Sequence, residues 1–191
     1  MTPTKRGRLV LVAVFALFFV PVLGAWLLNV LAPHWQPFGR VNEGTLVEPP
    51  LRLATTALRG ADGAPLAADV FAGHWTLVHL QGSSCDEPCR EALERTRQTR
   101  LALGDDIARV RRLLVQRPDA APASPGAADT DLHIAIAPAG WPAGVAMDAH
   151  GGSALLLVDP QGYLVLHYPP DVTRRALYAD LKRLLRVSKI G

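Results

Sequence analysis

The sequence predicts an α/β domain, a βαβ unit followed by a ββα unit, carried on a single N-terminal transmembrane helix. Three features lead there. An uncharged run of 23 residues follows a short basic arm; two apolar strand signals flank a helix-forming stretch; and two more surround Asp159-Pro160-Gln161-Gly162 ahead of an amphipathic C-terminal segment. Of the 191 residues, 49% are hydrophobic and 19% charged, which excludes a wholly disordered chain. The net charge of +3 comes from Lys5, Arg6 and Arg8, and residues 32–191 hold 17 basic and 17 acidic side chains. A phosphate-binding protein spreads cations over a folded face, so nucleic acid is not expected as a partner.

Residues 9–31, LVLVAVFALFFVPVLGAWLLNVL, carry no charge, and a helix of that length spans a hydrocarbon core of roughly 30 Å. Pro21, Gly24 and Asn29 are tolerable there. The rival reading is a signal peptide cleaved after Val22-Leu23-Gly24. Three cations in residues 1–8 keep that arm in the cytoplasm and send the rest of the chain outward, to the periplasm or its equivalent. The expectation is therefore a single-pass protein of the inner, cytoplasmic membrane.

Residues 32–50 hold Pro33, Pro37, Pro49 and Pro50 without a sustained period and are expected to form a tether, with the exported domain at 51–191. Residues 51–58 read as a strand, Arg59-Gly60-Ala61-Asp62-Gly63 as a turn, and WTLVHL at Trp75–Leu80 as a buried strand. Residues 89–103 contain helix formers with Leu93, Thr96, Arg100 and Leu103 on one side, and Gly104 is expected to end that helix. VRRLLVQ at Val110–Gln116 is a second core strand, so a parallel pair joined by a crossover helix is predicted. Residues 118–130, PDAAPASPGAADT, read as a mobile loop and 132–137 as a short strand. The Asp159-Pro160-Gln161-Gly162 turn joins a hairpin, and Asp171 is a candidate cap for a helix running to Val187. This element order is that of a thioredoxin-like domain.

The two cysteines form Cys85-Asp86-Glu87-Pro88-Cys89, a CxxxC spacing where a core strand gives way to a helix. Unpaired amides and the positive dipole end at a helix start favour thiolate, while Asp86 and Glu87 oppose it. As a staple, the five-residue loop contributes only about 2 kcal/mol, which a domain of this size does not need. Two chemistries remain: thiol–disulfide exchange through a mixed disulfide, and binding of a thiophilic metal, copper once an imidazole joins. Zinc is less favoured because its structural sites want four Cys or His ligands.

Of the six histidines, His34, His74, His79, His133 and His167 read as ordinary surface or core residues. His150, in Asp148-Ala149-His150-Gly151-Gly152-Ser153, precedes the apolar run ALLLV and returns in such a fold beside the cysteine loop. The single span, the CxxxC after the first core strand, this histidine and the Asp-Pro-x-Gly turn together resemble the Sco family, membrane-anchored thioredoxin-fold proteins that assemble the copper-A centre of cytochrome c oxidase. The chain departs from that pattern in carrying Asp86 and Arg90, not proline, directly after the cysteines. The resemblance implies copper as cofactor, Cys85, Cys89 and His150 as its ligands, and an oxidase subunit or another copper or thiol assembly protein as partner. The residues alone also allow an oxidoreductase in which Cys85 and Cys89 are the catalytic pair, and a non-catalytic assembly scaffold.

Overall fold

The computed structural model describes residues 3–31, 42–67, 69–121, 129–145, 153–169 and 171–188. The chain divides into two units, Met1–Val41 and Asn42–Gly191. The first contains one helix, α1 (Pro3–Leu31), 29 residues long with Pro21 inside it. It continues back through the basic arm, and its Lys5–Leu31 stretch, which holds an 18-residue window with a mean hydropathy of 2.6, is long and apolar enough to cross a membrane. Leu17, Phe18, Val22 and Leu31 are all exposed, so the apolar surface runs round the helix.

The second unit is a seven-stranded mixed sheet. Its strands are β1 (Thr45–Arg52), β2 (Arg59–Gly60), β3 (Trp75–Leu80), β4 (Val110–Gln116), β5 (Leu132–Ile136), β6 (Ala154–Val158) and β7 (Tyr163–Tyr168), in the spatial order β1-β7-β6-β3-β4-β5-β2. β3, β4 and β5 run parallel, while β6, β7 and β1 continue antiparallel on the other side. Helix α2 (Glu87–Leu101) is the crossover between β3 and β4, and α3 (Arg174–Val187) closes the chain. The predicted βαβ and ββα units are both present.

The central strands are continuous apolar runs because both faces are covered. On one face Val78, Leu80, Leu113, Val115, Leu156 and Leu164 pack with Phe71 and Trp141 from the connections. On the other, Leu77, Leu155, Leu157 and Leu166 pack against Leu177, Leu181 and Leu185 of α3. Each such leucine contributes about 1.5–3 kcal/mol when fully withdrawn from water. The hairpin turn forms as expected: Asp159 Oδ1 accepts from the Gln161 and Tyr163 amides at 2.9 and 2.8 Å, and Gly162 takes φ +86°.

Four local expectations shift. The first strand lies at Thr45–Arg52, not 51–58, because it pairs with β7, Thr45 opposite His167 and Arg52 opposite Tyr163. The end of the expected tether is thus part of the sheet, and Pro49 and Pro50 fit where the register slips between Leu46 and Leu51 on an edge strand. Helix α2 starts at Glu87 with Asp86 as its N-cap and ends at Leu101; Gly104 (φ +63°) opens a 3-10 turn over Gly104–Arg109. The cap of α3 is Thr173, whose side chain accepts the Ala176 amide at 3.2 Å, because Val172 is drawn into the core before the helix begins.

Candidate functional site around the cysteine pair

β3 is buried along its whole length and delivers the chain to a sharp bend, Gln81-Gly82-Ser83-Ser84, beyond which Cys85 sits outside α2 and Cys89 inside its first turn. The two are joined as a disulfide with Cα atoms 5.1 Å apart, and both are half-buried. Pro88, in the first turn, has no amide to leave unsatisfied there. Beside Cys89 lies a cavity of about 310 Å³ whose wall includes His79, Asp86, Pro88, Ser153 and Leu155.

Three neighbours hold the cysteine loop from the side. Gly82 donates its amide to Ser153 Oγ at 3.2 Å, at the residue just before β6. Gln116, at the end of β4, donates through Nε2 to Gln81 Oε1 at 2.8 Å, and Gln81 donates through its own Nε2 to the Ala121 carbonyl at 2.8 Å. Ala121 in turn donates its amide to the Ser83 carbonyl at 3.0 Å. The first residues of the loop read as mobile are therefore fastened to the cysteine loop.

Residues 75–188, more than half of the chain, match a family model described as the transmembrane-like, thioredoxin-like, C-terminal domain. The chain belongs to this family. No curated protein sequence matches it. Among solved structures, this thioredoxin-like family member is similar to apo Sco1 from Thermus thermophilus, at 19% identity and a TM-score of 0.56 over 77% of this chain and 99% of that one. It is also similar to yeast Sco1 with copper bound, at 13% identity and a TM-score of 0.51 over 78% and 96% of the two chains. Arabidopsis thaliana ScoI with copper bound gives 12% identity and a TM-score of 0.51 over 76% and 99%. At these identities the likeness is one of fold, and the fold is Sco-like.

Within this thioredoxin-like domain, Cys85 and Cys89 come together as the spacing implied, while His150 lies outside the described residues. Ser153, not proline, precedes β6; the cis bond in that part of the chain is Trp141–Pro142, and the Trp141 indole donates to the Ala54 carbonyl at 2.8 Å, beside the other core face.

His79, read as an ordinary core histidine, is buried in the wall of the cavity beside Cys89. Its Nε2 lies 2.8 Å from Thr96 Oγ1. That hydroxyl gives its proton to the Leu93 carbonyl at 3.0 Å, so the imidazole is the donor and carries its proton on Nε2. Burial, then the charges of Arg112 and Arg95, lower its pKa from 6.5 to about 3. An unfolded His79 takes up a proton below about pH 6.5 that the folded one refuses. Stability from this group is whole above that pH and falls by up to about 1.4 kcal/mol per pH unit toward pH 3. Urea unfolding between pH 7 and 5 should show that slope, and His79→Gln should flatten it.

Sequence reasoning missed Gln81, Ser153 and Arg112. Arg112 had a signal, since an arginine within a buried strand demands acids. They stand at Asp129 and Asp131, where the following loop rejoins the sheet.

Proposed function

We propose that the protein is a membrane-anchored copper-handling and thiol assembly factor of the cell envelope. In this reading Cys85 and Cys89, as thiolates, and the His150 imidazole hold copper destined for a respiratory oxidase subunit or for another copper or thiol assembly protein. The observation that carries the reading is the cysteine pair, half-buried at the start of α2, on a fold shared with Sco proteins solved with copper bound. Sulfurs that reach each other in the disulfide can, once reduced, both reach one ion, and soft thiolates with an imidazole suit Cu(I). The third ligand, His150, is the one that the resemblance to the Sco family implies. The cations Lys5, Arg6 and Arg8 hold the N-terminus in the cytoplasm and place the cysteines in the periplasm.

Anaerobic Cu(I) titration of the reduced full-length protein in detergent should give one tight equivalent. Cys85→Ser should weaken it by at least about 100-fold and His150→Ala by at least about tenfold. Full affinity in Cys85→Ser would end the proposal.

The bonded state of the pair favours a second reading, a thiol–disulfide oxidoreductase that keeps a partner's cysteines reduced. It predicts exchange with a protein disulfide that survives His150→Ala, in a protein that binds no copper tightly.

A further inference from the structure

The bend between β3 and Cys85 is held by a chain of hydrogen bonds. Gln116 Nε2 donates to Gln81 Oε1, Gln81 Nε2 to the Ala121 carbonyl, and the Ala121 amide to the Ser83 carbonyl, two residues before Cys85. The two glutamines are buried, at 3% and 9% exposure, so neither amide can replace its partner with bulk water. They are also anchored by backbone, since the Gln81 amide donates to the Val115 carbonyl and the Gln116 carbonyl accepts from the Ala137 amide, both at 2.9 Å. Gln81 thus joins the end of β4, the loop after it and the cysteine bend.

We infer that Gln81 is a positioning residue for the Cys85–Cys89 couple, holding the bend so that Cys85 stays poised against Cys89, with the segment ending at Ala121 as its outer support. The inference rests on the pair being redox-active, as both readings above require. Reduction consumes two electrons and two protons: two glutathione thiols are oxidised to one glutathione disulfide while the Cys85–Cys89 bond is broken and two protein thiols form. The reverse closure depends on how often the two sulfurs meet. Freeing the bend lowers that frequency without touching either sulfur, so the disulfide becomes easier to reduce.

The test is the equilibrium of the full-length protein in detergent with reduced and oxidised glutathione, read by thiol alkylation. Gln81→Leu should shift the equilibrium toward the dithiol by about three- to tenfold. Gln81→Glu keeps the acceptor for Gln116 but loses the donor to Ala121, and should shift it nearly as far. Gln116→Leu should shift it less, and the Leu–Leu double variant no further than Gln81→Leu alone, since the Gln116–Gln81 bond is already lost in the latter. Thr173→Ala removes the α3 cap and costs stability far from the cysteines; it should leave the equilibrium unchanged, which separates positioning from general destabilisation. An unshifted equilibrium in folded Gln81→Leu, or an equal shift in Thr173→Ala, overturns the inference. A wild-type pair that does not exchange reversibly with glutathione overturns the redox reading beneath it, a different result from an unshifted variant.

Discussion

Replacing Asp129 and Asp131 together by alanine should lower the unfolding free energy by about 3–5 kcal/mol, because it strands a buried guanidinium. Arg112 is wholly buried. Its terminal nitrogens donate to Asp129 Oδ1 at 3.0 and 2.9 Å, to Asp131 Oδ1 at 3.1 Å and to the Leu93 carbonyl at 2.8 Å, and its Nε lies 3.3 Å from Thr96 Oγ1. The two carboxylates are 11% and 22% exposed, so they can turn toward water if the arginine is lost, whereas the arginine has nowhere to turn. Arg112→Met should therefore cost less than the double alanine variant, about 1–3 kcal/mol, from the hydrogen bonds lost with the guanidinium, since the Leu93 carbonyl keeps the Thr96 hydroxyl and that hydroxyl keeps His79. Thermal unfolding of the purified protein measures both; for a domain of this size the double variant should lose about 10–15 °C. An Arg112→Met loss as large as that of the double variant would contradict the asymmetry.

Asp180→Ala should have the second large effect, about 3–4 kcal/mol, since one buried carboxylate serves three donors. It accepts the amides of Glu43, at 3.1 Å, and Gly44, at 2.9 Å, and the Tyr168 hydroxyl at 3.0 Å. The phenol stays a donor at any physiological pH, because burial and then the Asp180 charge raise its pKa. Tyr168→Phe removes one donor and leaves no buried group unpaired, so it should cost only about 1 kcal/mol. The glycine is obligatory for this contact: a Cβ on Gly44 would stand 2.5 Å from the Tyr168 ring. Denaturant unfolding of the three variants, Asp180→Ala, Asp180→Asn and Tyr168→Phe, ranks them; Asn has a single acceptor oxygen and should fall between the others.

The two largest effects concern residues that the sequence did not single out, and the reason is physical. β3, β4 and β6 were legible because a strand buried on both faces is an apolar run bounded by turn residues, and β7 because the Asp159-Pro160-Gln161-Gly162 turn precedes it, signals contained within a few positions. The cysteine pair was legible for the same reason, its place being set by the end of such a run. β1 was misplaced because its pairing partner is more than a hundred residues away and its two prolines hide the strand. The cap of α3 was misread because Asp171 and Thr173 are both good caps, and only the burial of Val172 decides between them. Gln81 and Gln116 meet across 35 positions, and Asp180 reaches back 136 positions to Gly44; neither partnership leaves a local pattern.

The two outermost strands have a consequence for crowded membranes. Anchored copies of one protein diffuse in a plane, where encounters between like surfaces are frequent, and a long unpaired strand edge would let neighbours zip into ribbons. Here one border is β2, only two residues long, and the other is β1, where Pro49 and Pro50 offer no amide hydrogen, Glu48 adds a charge and the register slips. Both borders are therefore poor templates for extending the sheet into a second molecule.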